Sequence, residues 1–324
     1  MNTLDEIKIL LGDDWTQFET LFRNALQSKI DLLNTVNNYL LDHRGKQLRP
    51  VLTLLTANSL SGGGPSARVA ALVVEMVHTA SLLHDDVVDN ADRRRSAASV
   101  KRIWRSKIAV LTGDYWFADA FHILSKYNES RLLPYFNKCM VAMGEGEIWQ
   151  LEKAQKLDMT EDDYFQIIGR KTAECMALSM ICGAVVAGAN DADLQRIFDM
   201  GYTMGIAFQI RDDIFDYEPR NLSGKPVGND VREQKITLPL LYALRQTGEK
   251  ERATILRHVR RAAKKPRSLR KVIDFVHRQN GQEYAEQIMT DYSNQAVAML
   301  QELPDTPYRT ALISLAKFMS ARRQ

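Results

Sequence analysis

The sequence contains few cysteines and has little excess of either charge. Its 324 residues include three cysteines, Cys139, Cys175 and Cys182. A set this small and unevenly spaced excludes a disulfide framework or a cysteine zinc site, favours a reducing cytoplasm, and predicts buried, small hydrophobic side chains. The net charge of +3 is too small to indicate nucleic-acid binding.

Signals for export or for membrane insertion are also missing. The first residues, "MNTLDEIKILLGDDW", are acidic and contain no basic stretch followed by an apolar core, so we predict no signal peptide. The longest near-apolar run, residues 176–189, is too short to span a bilayer and is typical of a buried helix. We expect a cytoplasmic protein with no membrane span.

Apolar residues recur at three- and four-residue spacing along most of the chain, which predicts helices. The clearest segment is "ARVAALVVEMVHTASLLHDDVVD", which follows a predicted helix start at Gly64-Pro65-Ser66. Three clear breaks, at residues 61–65, 218–230 and 302–307, are too short to be interdomain linkers. The fold prediction is therefore all-α, one large helical domain spanning residues 1–324. Further periodic segments cover residues 16–41, 108–126, 131–155, 162–188, 192–217, 236–246 and 284–301.

One dense block of charge occurs at residues 257–271, "RHVRRAAKKPRSLRK". A solvated corner between two helices is the simpler interpretation. Contact with an anionic membrane surface is the alternative.

Two aspartate-rich segments carry the strongest chemical signal. Asp85 and Asp89 are four residues apart, so a helix places them on one face. "QIRDDIFDY" repeats this arrangement with Asp212, Asp213 and Asp216, again after apolar residues. One such pair is often a solvated acidic face, but two of them predict an oxygen-only site that selects Mg²⁺ or Mn²⁺. Because Mg²⁺ keeps much of its water and usually binds substrate phosphates, the expected ligand is a diphosphate.

Candidate basic residues follow the first acidic segment and also occur in three further motifs. Arginine matches phosphate oxygens bidentately, and lysine supplies a mobile point charge. Each cation alone is typical of a surface, but together they form two basic clusters suited to two anionic substrates. His78 is either a core histidine or a phosphate donor. The candidate residues are Arg94 and Arg95 after the first acidic segment, Lys46 and Arg49 in "RGKQLRP", Lys171 beside Thr172 in "GRKTAE", and Lys225 and Lys235 in "SGKPVGNDVREQK".

In this order the motifs resemble the trans-prenyltransferases, the head-to-tail isoprenyl diphosphate synthases, and most closely their long-chain, octaprenyl-like members. The resemblance runs essentially end to end, from "GKQLRP" through "HTASLLHDDVVD", "GDYWFADAF", "GEIWQLE", "GRKTAE" and "FQIRDDIFDY" to "LPDTPYRTALISLAKF". It implies a helical bundle around a central apolar cavity, a homodimer, and three magnesium ions, with Mn²⁺ as a substitute. The implied reaction joins isopentenyl diphosphate to an allylic diphosphate such as farnesyl diphosphate and serves a quinone side chain. It also implies peripheral membrane contact for product release.

The resemblance assigns a role to each motif residue. Magnesium ligands are Asp85, Asp89, Asp212 and Asp216, and together with Lys171 they form the catalytic set. The allylic diphosphate is bound by Arg94, Lys171, Thr172, Gln209, Lys225 and Lys235. Isopentenyl diphosphate is bound by Lys46, Arg49, His78 and Arg95. Glu147 and Gln150 of "GEIWQ" are supporting partners of these residues.

Product length is predicted from the two small residues Ala80 and Ser81, just before Asp85. In the family, short-chain enzymes carry an aromatic ring here, so small residues imply an open tunnel and a product of roughly seven to ten isoprene units. Ser81 lies one helical turn from Asp85. Candidates for the tunnel floor are Trp116, Phe117 and Phe121, for which a plain core role is equally compatible.

Two departures and several alternatives accompany the resemblance. Arg44 replaces the first glycine of the usual GGK, and Ser96 replaces the glycine of the usual RRG, which could alter loop geometry. The alternatives are a short-chain farnesyl or geranylgeranyl diphosphate synthase, a non-catalytic subunit of a heteromeric synthase, and a class I terpene cyclase. A cyclase would lack the set that binds the second substrate, and a non-catalytic subunit would be expected to have lost one acidic motif.

Overall fold

The described part of the chain is almost entirely helical, which confirms the all-α prediction. The computed structural model describes residues 3–94, 97–218 and 228–321. Within those ranges the extended structure is a short hairpin in which β1 (Arg93–Arg94) pairs antiparallel with β2 (Ala97–Ala98). The helices are α1 (Thr3–Leu11), α2 (Asp13–Ala25), α3 (Asp31–Asp42), α4 (Leu48–Ser59), α5 (Pro65–Val88), α6 (Val100–Lys126), α7 (Leu133–Lys156), α8 (Glu161–Ile168), α9 (Glu174–Val186), α10 (Asp191–Phe215), α11 (Asn229–Arg232), α12 (Leu238–Arg245), α13 (Glu249–Val259), α14 (Pro266–Arg278), α15 (Gly281–Leu300) and α16 (Pro307–Ala321).

The start of α5 is where the sequence predicts it. Pro65 is the first residue of the helix, and its fixed φ and missing N–H suit that position. Gly64 precedes it with a φ of 107°, a conformation that disfavours residues with a Cβ.

The periodic segment at residues 16–41 is helical, as predicted, but it is divided between two helices. The structure has α2 and α3, with a connection at residues 26–30. Asn34 stabilises that connection, because its Oδ1 accepts the N–H of Ser28 at 2.8 Å and its Nδ2 donates to the Ser28 carbonyl at 2.7 Å. Side-chain bonds of this kind compete with the helical hydrogen bonds of the backbone.

The described residues group into two compact units. The first unit contains the chain up to Asn137, Leu178–Phe198 and Leu303–Leu312, and the second contains Lys138–Ala177, Asp199–Glu302 and the chain from Ile313. In the first unit, Val36, Leu83, Val100 and Ala109 form a small buried cluster. The second unit has a larger core in which α8, α10, α12, α14 and α15 bury apolar side chains. The single-domain assignment stays a prediction.

α5 is the one helix among the described residues that is long and apolar enough to cross a bilayer. However, 72% of its most apolar window is buried inside the protein, as expected for a core helix. Cys139, Cys175 and Cys182 are buried and form no disulfide, as predicted.

Candidate active site

The first acidic motif lies at the carboxyl end of α5. Asp85 is in the last turn, and the N–H of Asp89, which caps the helix, donates to the Asp85 carbonyl at 2.8 Å. The last turn contains no basic residue. Because the carboxyl end of a helix is the negative end of its dipole, two carboxylates there favour a bound cation.

The second acidic motif ends α10 in the same way. Asp212 is in the last turn, which again contains no basic residue, and Asp216 follows Phe215 directly. The two carboxylate oxygens of Asp216 accept the backbone N–H groups of Asn229 at 2.7 Å and Asp230 at 3.0 Å. Burial raises the pKa of Asp216, and these backbone hydrogen bonds oppose the rise. Asp216 therefore also holds the start of α11.

The donor set of each motif fits magnesium. Within the described ranges, no group of three or more His, Cys, Asp or Glu side chains forms a ready metal cage. Magnesium does not require one, since it commonly binds through one or two carboxylates together with substrate phosphates and water. Asp85 with Asp89, and Asp212 with Asp216, each supply such a pair.

Arg94 is held by Asp86, the second aspartate of the first motif. Both the Nε of Arg94, at 2.8 Å, and its Nη2, at 2.7 Å, approach Oδ1 of Asp86. Asp86 is buried, with 3% of its surface exposed, and burial raises the pKa of its carboxyl, while Arg94 opposes the rise. The predicted allylic contact Arg94 is therefore oriented by a residue that the sequence interpretation left out.

Two residues predicted to bind isopentenyl diphosphate contact each other. The Nη1 of Arg49 lies 2.9 Å from the Nε2 of buried His78. Lys46 is exposed just before α4. Between them, Gln47 has a left-handed φ of 55°, and its buried amide nitrogen has no hydrogen-bond partner among the described residues. Strained residues of this kind cluster at binding sites.

The "GRKTA" motif forms a single π-helical turn, Gly169–Ala173, between α8 and α9. Such turns are rare and occur frequently at functional sites. Lys171, within this turn, is ion-paired with Glu147 of α7, whose Oε1 accepts from the Nε2 of Gln150 at 3.3 Å. Glu147 therefore contacts Lys171, and Gln150 contacts Glu147; their supporting role stays a prediction.

Thr172 and Gln209 are brought together in the second unit. The Thr172 hydroxyl donates to Oε1 of Gln209 at 2.7 Å, and the Nε2 of Gln209 donates to Asp213 at 2.8 Å. The hydroxyl of Tyr164 donates to the other oxygen of Asp213 at 2.7 Å. Burial is the main cause that raises the pKa of Asp213 to about 7.

Of the remaining predicted cations, Lys235 lies within the part of the chain that the structure describes. Lys235 forms an ion pair with Glu233 at 2.6 Å. Lys225, Arg95 and the departure Ser96 lie outside the described residues. The departure Arg44 donates its Nε to the Leu41 carbonyl at 2.9 Å and pairs with Glu19 at 3.2 Å, so it ties α2 to the end of α3.

An open cleft runs along α5 in the first unit. Thr79, Leu82 and Asp86 line it, but Ala80 and Ser81 do not. Ala80 is fully buried, and the Ser81 hydroxyl donates to the His78 carbonyl at 2.8 Å. The cleft therefore follows a different face of α5 from the one on which the tunnel is predicted.

The aromatic residues predicted as a tunnel floor lie on α6. Trp116 is buried, lines this cleft, and donates its Nε1–H to Asn37 at 2.9 Å. The ring of Phe117 lies 5.6 Å from that of His84, and the ring of Phe121 lies 6.5 Å from that of Phe136. Phe117 and Phe121 take part in ordinary aromatic packing.

The chain is similar in sequence to known proteins over most of its length. Residues 30–276 match the polyprenyl synthetase family. An octaprenyl diphosphate synthase of Escherichia coli strain K12 is 32% identical over 314 residues, which cover 97% of each chain.

Two crystal structures are similar over nearly the whole chain. A decaprenyl diphosphate synthase from Rhodobacter capsulatus is 33% identical, with a TM-score of 0.93 and 99% of both chains covered. A polyprenyl synthase from Caulobacter crescentus CB15, complexed with calcium and isoprenyl diphosphate, is 32% identical, with a TM-score of 0.92 and 99% of this chain and 98% of that chain covered.

Proposed function

The chain is a prenyltransferase that belongs to the polyprenyl synthetase family, and on that premise we propose that it condenses isopentenyl diphosphate with an allylic diphosphate such as farnesyl diphosphate. The product is a long-chain all-trans polyprenyl diphosphate that supplies a quinone side chain. The observation that carries the proposal is that α5 and α10 each end in aspartates four residues apart, with no basic residue in the last turn.

The four aspartates hold magnesium in this proposal. Asp85 and Asp89 bind it together with the allylic diphosphate, and Asp212 and Asp216 bind a further ion, with three ions in the loaded enzyme and Mn²⁺ as a substitute. When bound, the metal supplies positive charge that stabilises the negative charge growing on the leaving diphosphate. The calcium and isoprenyl diphosphate in the Caulobacter crescentus relative support this ligand class.

Carboxylates orient three of the cations proposed to receive the allylic diphosphate. Glu147 holds Lys171, Glu233 holds Lys235, and Asp86 holds Arg94. Ordering the side chains in advance lowers the entropy lost when the substrate binds. Lys46 and Arg49 receive isopentenyl diphosphate, and His78 orients Arg49.

The proposed reaction has three steps, which are ionisation, condensation and loss of a proton. The bond between the allylic carbon and its diphosphate oxygen breaks, and the double bond of isopentenyl diphosphate attacks the cation to form a carbon–carbon bond. One proton is lost to restore a double bond, and the released diphosphate accepts it, since no side chain of the site is a dedicated base.

Two features separate this function from the alternatives. Both acidic motifs are intact, which argues against a non-catalytic subunit. Arg49 and His78 contact each other in the second basic cluster. A terpene cyclase binds no second diphosphate substrate and does not require this cluster. A short-chain product remains the alternative outcome, and product size distinguishes it.

We also propose a homodimer. α6 exposes the apolar side chains of Val110, Leu111 and Tyr115. Exposed apolar patches of this kind mark interaction surfaces. Sedimentation of the wild type and of Leu111→Asp tests it, with a shift from dimer to monomer expected in the variant.

We propose that the enzyme is cytoplasmic and that it contacts a membrane through residues 257–271 when it releases its lipid product. This stretch contains eight Lys and Arg residues and no Asp or Glu, so the remaining chain carries a net charge of −5, from +3 minus +8. α13 and α14 expose these side chains at a helix–loop–helix corner, as the sequence predicts. Salt-sensitive flotation with phosphatidylglycerol vesicles, but not with phosphatidylcholine vesicles, is expected.

The experiment that tests the catalytic proposal is product sizing. The enzyme is incubated with radiolabelled isopentenyl diphosphate, farnesyl diphosphate and Mg²⁺, and the dephosphorylated products are separated by reversed-phase chromatography. Products of roughly seven to ten isoprene units support the proposal. Products that stop at fifteen or twenty carbons indicate a short-chain enzyme, and no incorporation contradicts the function.

A further inference from the structure

A chain of three hydrogen bonds joins Tyr164 to Thr172 within the second unit. It runs from the Tyr164 hydroxyl to Asp213 (2.7 Å), from Gln209 to Asp213 (2.8 Å), and from Thr172 to Gln209 (2.7 Å). Tyr164 lies on α8, Thr172 in the π turn, and the other two on α10. Tyr164 and Asp213 are 2% and 4% exposed, so the inner end of the chain is shielded from water.

The carboxylate of Asp213 decides how the Gln209 amide is oriented. A carboxylate oxygen accepts hydrogen bonds, so it selects the amide nitrogen of Gln209 and turns Oε1 toward Thr172. Thr172 then donates its single hydroxyl proton to Gln209.

The π turn brings Tyr164 and Thr172, the two ends of this hydrogen-bond series, toward one face of their helical segment. Eight residues of regular α-helix separate positions 164 and 172 by about 800°, which leaves them about 80° apart around the axis. The extra residue of a π turn removes roughly one residue's rotation of about 100°, so the two side chains come nearly into line. The turn therefore helps Tyr164 and Thr172 to contact the same face of α10.

We propose that Tyr164 is a positioning residue for the allylic substrate: through Asp213 it fixes the amide orientation of Gln209 and the hydroxyl direction of Thr172. Tyr164 is at one end of this series of hydrogen bonds, and Thr172, at the other end, contacts the substrate in the proposed function. This inference rests on the proposed function, since Thr172 and Gln209 are assigned there to the allylic diphosphate.

Tyr164→Phe removes one hydroxyl from a buried ring and leaves the packing in place. The KM for farnesyl diphosphate is expected to rise about five- to twentyfold, as for loss of a hydrogen bond to a charged group. The KM for isopentenyl diphosphate and kcat stay within about twofold, because only allylic binding is affected. Tyr284→Phe is the matched control: Tyr284 also donates to a carboxylate, Glu161, at 2.7 Å in the same unit, and its loss should change neither KM.

A double-mutant cycle separates positioning from a structural role. In a Gln209→Ala background, Tyr164→Phe should give no further rise in the allylic KM, whereas the loss of its buried hydrogen bond to Asp213 should lower Tm in both backgrounds. Asp213→Asn, a variant of the same size whose side-chain amide can present either its oxygen or its nitrogen to Gln209, removes the fixed preference and should raise the same KM. An unchanged allylic KM in folded Tyr164→Phe, or an additive rise in the Gln209→Ala background, overturns the inference alone. A wild type that condenses no substrate overturns the proposed function and this inference with it.

Discussion

The guanidinium of Arg49 lies 2.9 Å from Nε2 of His78. Arginine can only donate, so Nε2 is the acceptor in this contact. The sequence left His78 open between a core residue and a phosphate contact. We infer from the contact that His78 orients Arg49 for the diphosphate of the proposed second substrate.

His78→Ala and Arg49→Ala should both raise the KM for isopentenyl diphosphate, by about tenfold or more, with little change in the allylic KM. The double variant should be no worse than Arg49→Ala, because His78 acts through Arg49. Lys46→Ala, in the same cluster, should raise the same KM independently. Steady-state kinetics with each substrate varied measures this, and a rise confined to the allylic KM would show that the cations are assigned to the wrong substrates.

Arg94→Ala should raise the allylic KM and lower Tm, since it leaves the buried Asp86 carboxylate without its partner. Adding Asp86→Asn removes that unpaired charge and should restore part of the Tm but none of the KM. Arg196→Ala, which breaks an exposed pair with Asp193, is the control and should change neither quantity. Recovery of the KM in the double variant would contradict a substrate contact by Arg94.

Gly169→Ala should destabilise the protein, because a Cβ there would lie 2.0 Å from the hydroxyl oxygen of Tyr202. Tyr202→Phe removes that oxygen but leaves Cζ at 3.0 Å, so it should restore the Tm of Gly169→Ala only in part. Thermal unfolding of the two single variants and the double variant measures this. A Gly169→Ala protein with wild-type Tm would show that the π turn tolerates a side chain.

Ala80→Tyr should shift the products to about fifteen or twenty carbons while the early condensations continue, if the growing chain passes Ala80 as the family resemblance implies. Ala80 is fully buried, so the ring must occupy the path of the product or displace its neighbours. Ala80→Val is the smaller control and should shift product length less. An unchanged distribution in a folded Ala80→Tyr enzyme would contradict a tunnel at this level.

The sequence could predict the helices and the aspartates at their ends because both follow from short-range spacing. The apolar period of α5 and of α10 stops at the acidic residues, and the structure ends each helix there. The all-α class follows from the same local pattern.

Other features depend on contacts that spacing does not encode. The π turn at Gly169–Ala173 packs its glycine against Tyr202, which lies about thirty residues away in sequence. The break at residues 26–30 depends on how one asparagine, Asn34, turns its side chain. Asp86 and Asp213 are adjacent to predicted metal ligands in sequence, yet each faces a different partner, Arg94 or Gln209. A helical period cannot distinguish these orientations.

The most direct test of the central claim measures incorporation of radiolabelled isopentenyl diphosphate by the wild type, Asp85→Ala and Asp212→Ala, with Mg²⁺ and with EDTA. Each variant removes a proposed magnesium ligand from the end of α5 or α10, where charge stabilisation drives the reaction. We predict rapid incorporation by the wild type with Mg²⁺, none with EDTA, and rates lower by orders of magnitude in both variants. Incorporation that persists in EDTA, or near wild-type rates in both variants, would contradict the account.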